Sequence, residues 1–347
     1  MNTKVWKVDK FVDIFESNPH IVDAANFLRE NEVVALPTET VYGLGGNAES
    51  DEAVAKIFAA KGRPGDNPLI IHIADREHLN RFVKEIPLTA ERLMDAFWPG
   101  PLTIIFKKKE GVLSEKATAG LGTVAVRMPD HPVALALLRA CELPIAAPSA
   151  NSSGKPSPTS AEHVLDDLNG KIAGVVDGGA TGVGVESTVV DCTDGIPVIL
   201  RPGGVTREQL AAVIGEVQVD PALMDGAERP KSPGMKYKHY APNAPLYLVS
   251  GTSEFFQRIV EEKEREGLKV GVLTTEECED LFDADVVLAC GRRAELETVA
   301  ASLYDTLRRF NQMKVDIIFS EMFPNEGVGH AIMNRLLKAA GNKIISE

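Results

Sequence analysis

Apolar positions divide the 347-residue chain into two stretches separated by a polar interval. In the first stretch, residues 20–31 carry helical spacing and EVVALP (32–37) reads as a strand. TETVYGLGGNA (38–48) reads as a glycine-rich loop. In DEAVAKIFAAKG (51–62), Ala53, Val54, Ile57 and Phe58 share one helical face, with Asp51 as N-cap or first-turn acid. PLIIHIA (68–74) is strand-like, and helical spacing returns near 75–82 and 89–97. PLTIIFKK (101–108), GTVAVRMP (122–129) and LPIAAPSA (143–150) read as strands, with HPVALALLRAC (131–141) a helix between the last two. Strands at 172–177, 187–192 and 197–201 and a helix at 206–214 close this stretch.

Residues 217–245 break the rhythm, with five prolines and little apolar periodicity. A segment this long without regular pattern is usually functional or disordered. Its second half holds Lys231, Lys236, Lys238 and His239 with Tyr237 and Tyr240, and no acid. The pattern then resets. Strands at 244–250, 268–274, 284–290 and 315–321 alternate with helices near 253–266, 294–313 and 329–340. That β/α alternation predicts a smaller domain around a mostly parallel sheet. The expected division is therefore a domain at 1–216, a linker at 217–244 and an α/β domain at 245–347.

Composition narrows the function classes. The chain has 50 Asp+Glu against 37 Lys+Arg, a net charge of −13. This opposes a whole-surface affinity for nucleic acid or anionic membrane, while leaving room for a local basic site. Cys141, Cys192, Cys278 and Cys290 form no C-x-x-C pair, so neither a zinc site nor a disulfide framework is expected. MNTKVWKVDKFVDIF alternates charge with apolar residues, unlike a signal peptide, and no run approaches the ~20 apolar residues of a membrane helix. The expected location is the cytoplasm.

Five constellations carry candidate chemistry. KGRPGDNPLIIH places Lys61 and Arg63 after a helix, with Asn67 and His72 beyond. Lys offers a mobile point charge and Arg a planar fork, a pairing suited to phosphate. The same cations also suit a helix C-terminus followed by a solvated turn. PSANSSGKPSPT sets Ser149 and Asn151 at alternate positions after an apolar strand, where α/β sheets tend to bind ligands, though Ser/Pro turns are common. DGGATGVGVESTVVD has four glycines before Ser187 and Thr188 and matches neither a Walker A nor a dinucleotide fingerprint. Thr38, Thr40 and Tyr42 alternate in TETVYGLGG. Arg127, embedded in TVAVRM, needs either a structural acid or a ligand carboxylate. Glu39 and Glu186 lie near these loops without a pairing legible in sequence.

Taken together and in this order, ALPTETVYGLG, KIFAAKGRPGDNPL, FWPGPLT, VAVRMPDHP, APSANSSGKPSPT, ESTVVD and RPG resemble the YrdC-type threonylcarbamoyl-AMP synthase family over roughly residues 20–215. SPGMKYKHYAP and GVGHAIMNRLLKAA resemble its longer form, which has an extra C-terminal domain. The resemblance implies a twisted mixed-sheet YrdC-like catalytic domain plus a smaller Rossmann-like α/β domain. It implies synthesis of threonylcarbamoyl-adenylate and pyrophosphate from L-threonine, bicarbonate or CO2, and ATP with Mg2+. The product then supplies the machinery that places threonylcarbamoyladenosine in tRNA.

By the same resemblance, Lys61, Arg63, Ser149 and Asn151 are catalytic. Those four, with Asn67, Thr123 and Arg201, surround ATP, and Thr40, His72, Arg127 and Ser187 hold threonine. Separately, the length of the linker and the aromatics and lack of acids in its second half would bring His239 or Tyr240 against the nucleotide. KYKHY would close over the site, excluding water from a labile product. Discrimination of the threonine methyl against serine is worth only ~1–3 kcal/mol. Two other functions stand beside this one. An RNA-binding module is opposed by the acidic charge and the 6% aromatic content, although a weak RNA contact stays open. Carbamoyl transfer in hydrogenase maturation is opposed by the lack of C-x-x-C pairs.

Overall fold

The structure is a computed structural model that describes residues 2–11, 17–221 and 239–347. The described residues form two compact units. Unit one takes those within Met1–Ser153, Pro158–Gly182 and Glu186–Lys236. Unit two takes Gly154–Ser157, Val183–Val185 and those within Tyr237–Glu347. The division is not contiguous in sequence, since two short segments of the first stretch belong to unit two.

Unit one is built on a mixed sheet of β1 (Lys4–Lys7), β2 (Val34–Leu36), β3 (Gly43–Asn47), β4 (Ile70–His72), β5 (Leu102–Lys107), β6 (Thr123–Arg127), β7 (Ile145–Ala146), β8 (Gly174–Asp177), β9 (Thr188–Asp191), β10 (Val198–Arg201) and β11 (Gln218–Val219). Among the described residues the strand order is β1-β8-β2-β3-β7-β4-β6-β5-β9-β10-β11. Its helices are α1 (Pro19–Arg29), α2 (Asp51–Lys61), α3 (Leu79–Phe82), α4 (Leu88–Phe97), α5 (Pro132–Cys141), α6 (Ala161–Leu168) and α7 (Arg207–Ile214). Successive strand residues face opposite sides of a sheet. Val33 and Ala35 accordingly enter one core with Ile57 and Leu93, while Val34 and Leu36 enter another with Leu28 and Leu137. Both faces are covered, which explains the near-continuous apolar runs of β5 and β6.

One expectation needs correction. The glycine-rich stretch after Tyr42 is not all loop, because Gly43–Asn47 forms β3. A Cβ on Gly45 would strike Leu36 and Ile145, and one on Gly46 would press on Ile57 and the Ala53 carbonyl. Glycine here permits close packing within a strand. The short elements β1, α6 and β11 had no legible pattern, and β7 keeps only two residues of the expected 143–150 strand.

Unit two carries a sheet of β12 (Leu246–Ser250), β13 (Val270–Thr274), β14 (Val286–Ala289), β15 (Ile317–Glu321) and β16 (Ile344–Ser346), in the order β14-β13-β15-β12-β16. Every pairing in it is parallel, as the β/α alternation predicts. Its helices are α8 (Ser253–Arg265), α9 (Leu296–Met313) and α10 (Gly329–Ala340). The fold class is thus a mixed-sheet α/β unit plus a parallel α/β unit. No described helix is long and apolar enough to cross a membrane.

Candidate active site

Strand register sorts most of the predicted residues of unit one into two levels. β4 and β6 run parallel, with His72 opposite Arg127 and Ile70 opposite Ala125. Thr123 opens β6 four residues before Arg127, about 13 Å away at the rise of a strand. Asn67 lies in the bend before β4, where its carbonyl accepts from Arg63. Ser149 bridges to Gly43, just after Ala147 N–H donates to the Ile70 carbonyl. One level therefore gathers Asn67, Thr123, Ser149 and Asn151. The other gathers His72 and Arg127.

At the Arg127 level the chemistry is that of a buried cation among competing acceptors. Arg127 is 4% exposed. Its Nη2 pairs with Glu39 at 2.7 Å, Nη1 donates to Thr40 Oγ1 at 2.8 Å, and Nε donates to the Gly100 carbonyl at 3.3 Å. Thr38 and Thr40 hydroxyls lie 2.9 Å apart, and Thr38 also donates to the Val41 carbonyl at 2.6 Å. This Thr-turn folds the TET loop back on itself and aims Glu39 and Thr40 at Arg127. Beside them, burial and the Arg127 charge push His72 down to about 3, so it is a neutral imidazole at physiological pH. Its Nδ1 lies 3.2 Å from the Ile70 carbonyl.

Ser187 joins the same level through Thr103, which pairs with Arg127 across β5–β6 and shares a 2.7 Å hydrogen bond with the Ser187 hydroxyl. Arg201 donates to the Ser187 carbonyl at 2.9 Å and to its hydroxyl at 3.1 Å. The RPG turn then presses Gly203 against the Glu186–Thr188 backbone so closely that a Cβ there would collide with it.

The other level centres on Lys61, the last residue of α2. Ser50 caps that helix at its N-terminus and Gly62 ends it in the left-handed region at φ 62°. Asp51 is a first-turn acid rather than the cap. Lys61 is 4% exposed, and its Nζ donates to the Asn151 carbonyl at 2.7 Å and to the Ser149 carbonyl. The expectation of a mobile point charge is corrected here: the ammonium is fastened to the backbone of the SAN loop. Burial, reinforced by the Arg63 charge, holds it well below the ordinary lysine range, with Asp167 pulling the other way. Arg63, half-buried, donates to the Asn67 carbonyl at 3.3 Å. Asn67 Oδ1 is buried without a partner among the described residues. Asn151 Nδ2 donates to the Ser152 carbonyl at 2.8 Å.

Model matching covers the chain in two blocks. Residues 26–203 match the Sua5/YciO/YrdC model, described as telomere recombination, and residues 205–341 match the model described as threonylcarbamoyl-AMP synthase, C-terminal domain. The chain belongs to the Sua5/YciO/YrdC family. It is 60% identical over 345 residues, 99% of this chain and 100% of the relative, to the threonylcarbamoyl-AMP synthase of Bacillus subtilis. It is also similar to a crystal structure of Pyrococcus abyssi Sua5 complexed with L-threonine, at TM-score 0.93 and 48% identity, covering 99% of this chain and 100% of that one. A second P. abyssi Sua5 structure, at TM-score 0.93 and 47% identity over 99% and 98% of the two chains, has alanines replacing an adjacent histidine and tyrosine.

Thr40 through Arg201 all fall within the Sua5/YciO/YrdC block, and His239 and Tyr240 fall within the C-terminal block. The only adjacent His-Tyr in this chain is His239-Tyr240. Lys231, Lys236, Tyr237 and Lys238, assigned to a covering segment, lie outside the described residues. Tyr240 belongs to unit two, buried at φ 63°, with its ring 5.3 Å from Tyr304. Sequence reading missed three participants: Glu39 as the partner of Arg127, Thr103 as the partner of Ser187, and Asp167 near Lys61. Only Glu39 left a signal, as the sole acid in ALPTETVYGLG.

Proposed function

We propose that this protein makes threonylcarbamoyl-adenylate and pyrophosphate from L-threonine, bicarbonate or CO2, and ATP. The observation that carries the reading is the separation of two buried cationic levels by the length of β6. Arg127 with neutral His72, Thr40 and Ser187 suits an amino acid carboxylate and side-chain hydroxyl. Lys61, Arg63, Asn67, Thr123, Ser149 and Asn151 suit a triphosphate and nucleoside. Arg201 sits with Ser187, at the Arg127 level, so its assignment to ATP rests on the family resemblance. The assignment of His239 and Tyr240 to ATP rests on the length, aromatics and lack of acids of the segment that holds them. The name of the B. subtilis relative and the threonine bound to the P. abyssi relative support the same reaction.

The chemistry asks the chain for position and charge more than for a covalent nucleophile. The amine of threonine joins the carbon of bicarbonate, releasing water and leaving a carbamate. A carbamate oxygen then attacks the α-phosphorus, and pyrophosphate departs. Arg127 fixes the amino acid end and Arg63 faces the departing phosphates. Lys61 holds the Ser149–Asn151 backbone in the shape that receives them.

Among the described residues no group of three or more His, Cys, Asp or Glu side chains could hold a metal. The Mg2+ of the reading would arrive on the triphosphate as part of the substrate. The product would pass to the enzymes that transfer threonylcarbamoyl to tRNA. The test is incubation with ATP, Mg2+, bicarbonate and labelled threonine, followed by separation of the adenylate. Threonine-dependent adenylate and pyrophosphate are expected, and ATP turnover independent of threonine would overturn the reading.

A further inference from the structure

Next to the Arg127 level, buried polar atoms lack hydrogen-bond partners among the described residues on Glu39, Thr181 and His131. Glu39 is compensated by its ion pair with Arg127. His131 has no such compensation: it is 6% exposed, and neither Nδ1 nor Nε2 is bonded. A buried polar group left unpaired costs about 1–3 kcal/mol, so a native fold keeps one for a reason, such as a ligand or water that completes it.

The ring is held in place by its surroundings. His131 stands where β6 gives way to α5, in the N-cap position, yet its side chain does not cap the helix. It packs against Gly178, where a Cβ would come within 3.0 Å of the ring. The loop after Gly178 is tied to the TET loop by Gly182 N–H donating to the Glu39 carbonyl at 3.1 Å and by the Tyr42 hydroxyl donating to the Gly179 carbonyl at 2.7 Å. The charges bearing on the ring are Glu39 and Lys10, with Asp130 adjacent in the chain and Arg127 behind Glu39. Burial raises Asp130, with Glu39 adding to the effect. Burial pushes His131 down to about 4 against the pull of Glu39, so at neutral pH the imidazole is uncharged and keeps a lone pair.

We propose that His131 is the proton acceptor for the α-ammonium of the amino acid substrate, with Glu39 orienting that ammonium beside Arg127. The inference rests on the function proposed above. An α-amino nitrogen is two bonds from the carboxylate carbon, so a carboxylate on Arg127 brings the ammonium beside Glu39. Carbamate formation needs the nitrogen lone pair. One N–H bond breaks, its proton moves to a ring nitrogen of His131, and the electron pair stays on the amine. The free amine then forms the C–N bond with bicarbonate and water leaves. The imidazolium later returns its proton to solvent. In the free protein Arg127 neutralises Glu39. Once a substrate carboxylate shares that cation, the Glu39 charge is available to stabilise the imidazolium.

The experiment is the pH dependence of kcat/KM for threonine between about pH 6 and 9, at saturating ATP, Mg2+ and bicarbonate, in the unaltered protein and in His131→Gln. An enzyme with its own acceptor uses the ammonium form. The unaltered protein is therefore expected to give a flat profile across the ionisation of the amine. His131→Gln is expected to lose about 10²–10⁴ at neutral pH and to climb about tenfold per pH unit as free amine accumulates. A climbing profile in the unaltered protein overturns the proposal even if the variant does not fold. A variant whose profile keeps the unaltered shape, at any level, overturns it as well. Failure of the parent reading looks different: the unaltered protein then makes no adenylate at any pH.

Discussion

Both units bury arginines, and they use them differently. In unit two, Arg335 is fully buried, with Nη1 donating to Asn334 at 2.8 Å and its guanidinium 5.6 Å from the Tyr240 ring centroid. Arg308 donates to the Pro156 carbonyl at 2.6 Å, joining the 154–157 segment to that unit. These cations fasten pieces of chain. In unit one, Arg127 meets the side chains of Glu39 and Thr40 beside a neutral His72. The Glu39 and Thr40 acceptors of Arg127 can be exchanged for those of a substrate, whereas the contacts of Arg335 with Tyr240 and of Arg308 with the Pro156 carbonyl tie chain segments within unit two. Burial of a cation alone does not separate site from scaffold.

The largest expected effect tests that contrast directly. Arg127→Ala removes the carboxylate partner and strands Glu39, so threonine-dependent pyrophosphate release should fall by about 10²–10³ or more. Breaking a buried pair should also cost about 3–5 kcal/mol of stability. Arg335→Ala should destabilise as well, yet leave KM for threonine within about twofold in the folded fraction. Steady-state kinetics paired with a denaturant titration reads both. If Arg335→Ala raised that KM as far as Arg127→Ala does, the distinction between the units would fail.

How much of this was legible follows from the range of each interaction. The helix α2 and its cations could be read from local periodicity, as could the parallel sheet of unit two. β3 could not, because its glycines are explained by Leu36, Ile145 and Ile57, which pack on it from elsewhere. Arg127 announced a need for a partner, but the sequence offered both an acid and a ligand. The choice of Glu39 comes from a turn built by the Thr38 hydroxyl. Lys61 was legible as a cation and misjudged as mobile, since its partners are carbonyls 88 and 90 residues away. His131 passed unnoticed inside VAVRMPDHP, because an unbonded ring can be seen only once its surroundings are folded.

The second effect sharpens the role of Lys61. If its main work is to fasten Ser149 and Asn151, then Lys61→Met, which keeps the stem and loses the ammonium, should take a hydrogen bond from each of their carbonyls. Turnover should drop by about 10²–10³, and the SAN loop should lose amide protection from hydrogen exchange. A free phosphate-binding lysine would give the first result without the second. Loss of activity with unchanged exchange across 149–153 would return Lys61 to the role of a mobile charge.

The smallest effect concerns acid. His72 and His131 lie in unit one, and burial holds them at about 3 and about 4, below the ordinary value of 6.5. Below about pH 6.5 the unfolded chain binds protons at these positions that the folded unit refuses, so stability declines as pH falls toward those lowered values. Each ring contributes on the order of a few kcal/mol across that window. At about pH 5 unit one should therefore exchange and unfold at lower denaturant than at pH 7. His131→Gln and His72→Gln should each flatten part of the decline. Hydrogen exchange resolved by segment reads the two units separately. An equal acid response in β13 and β15 of unit two would show that the decline is not carried by the neutral histidines of the site.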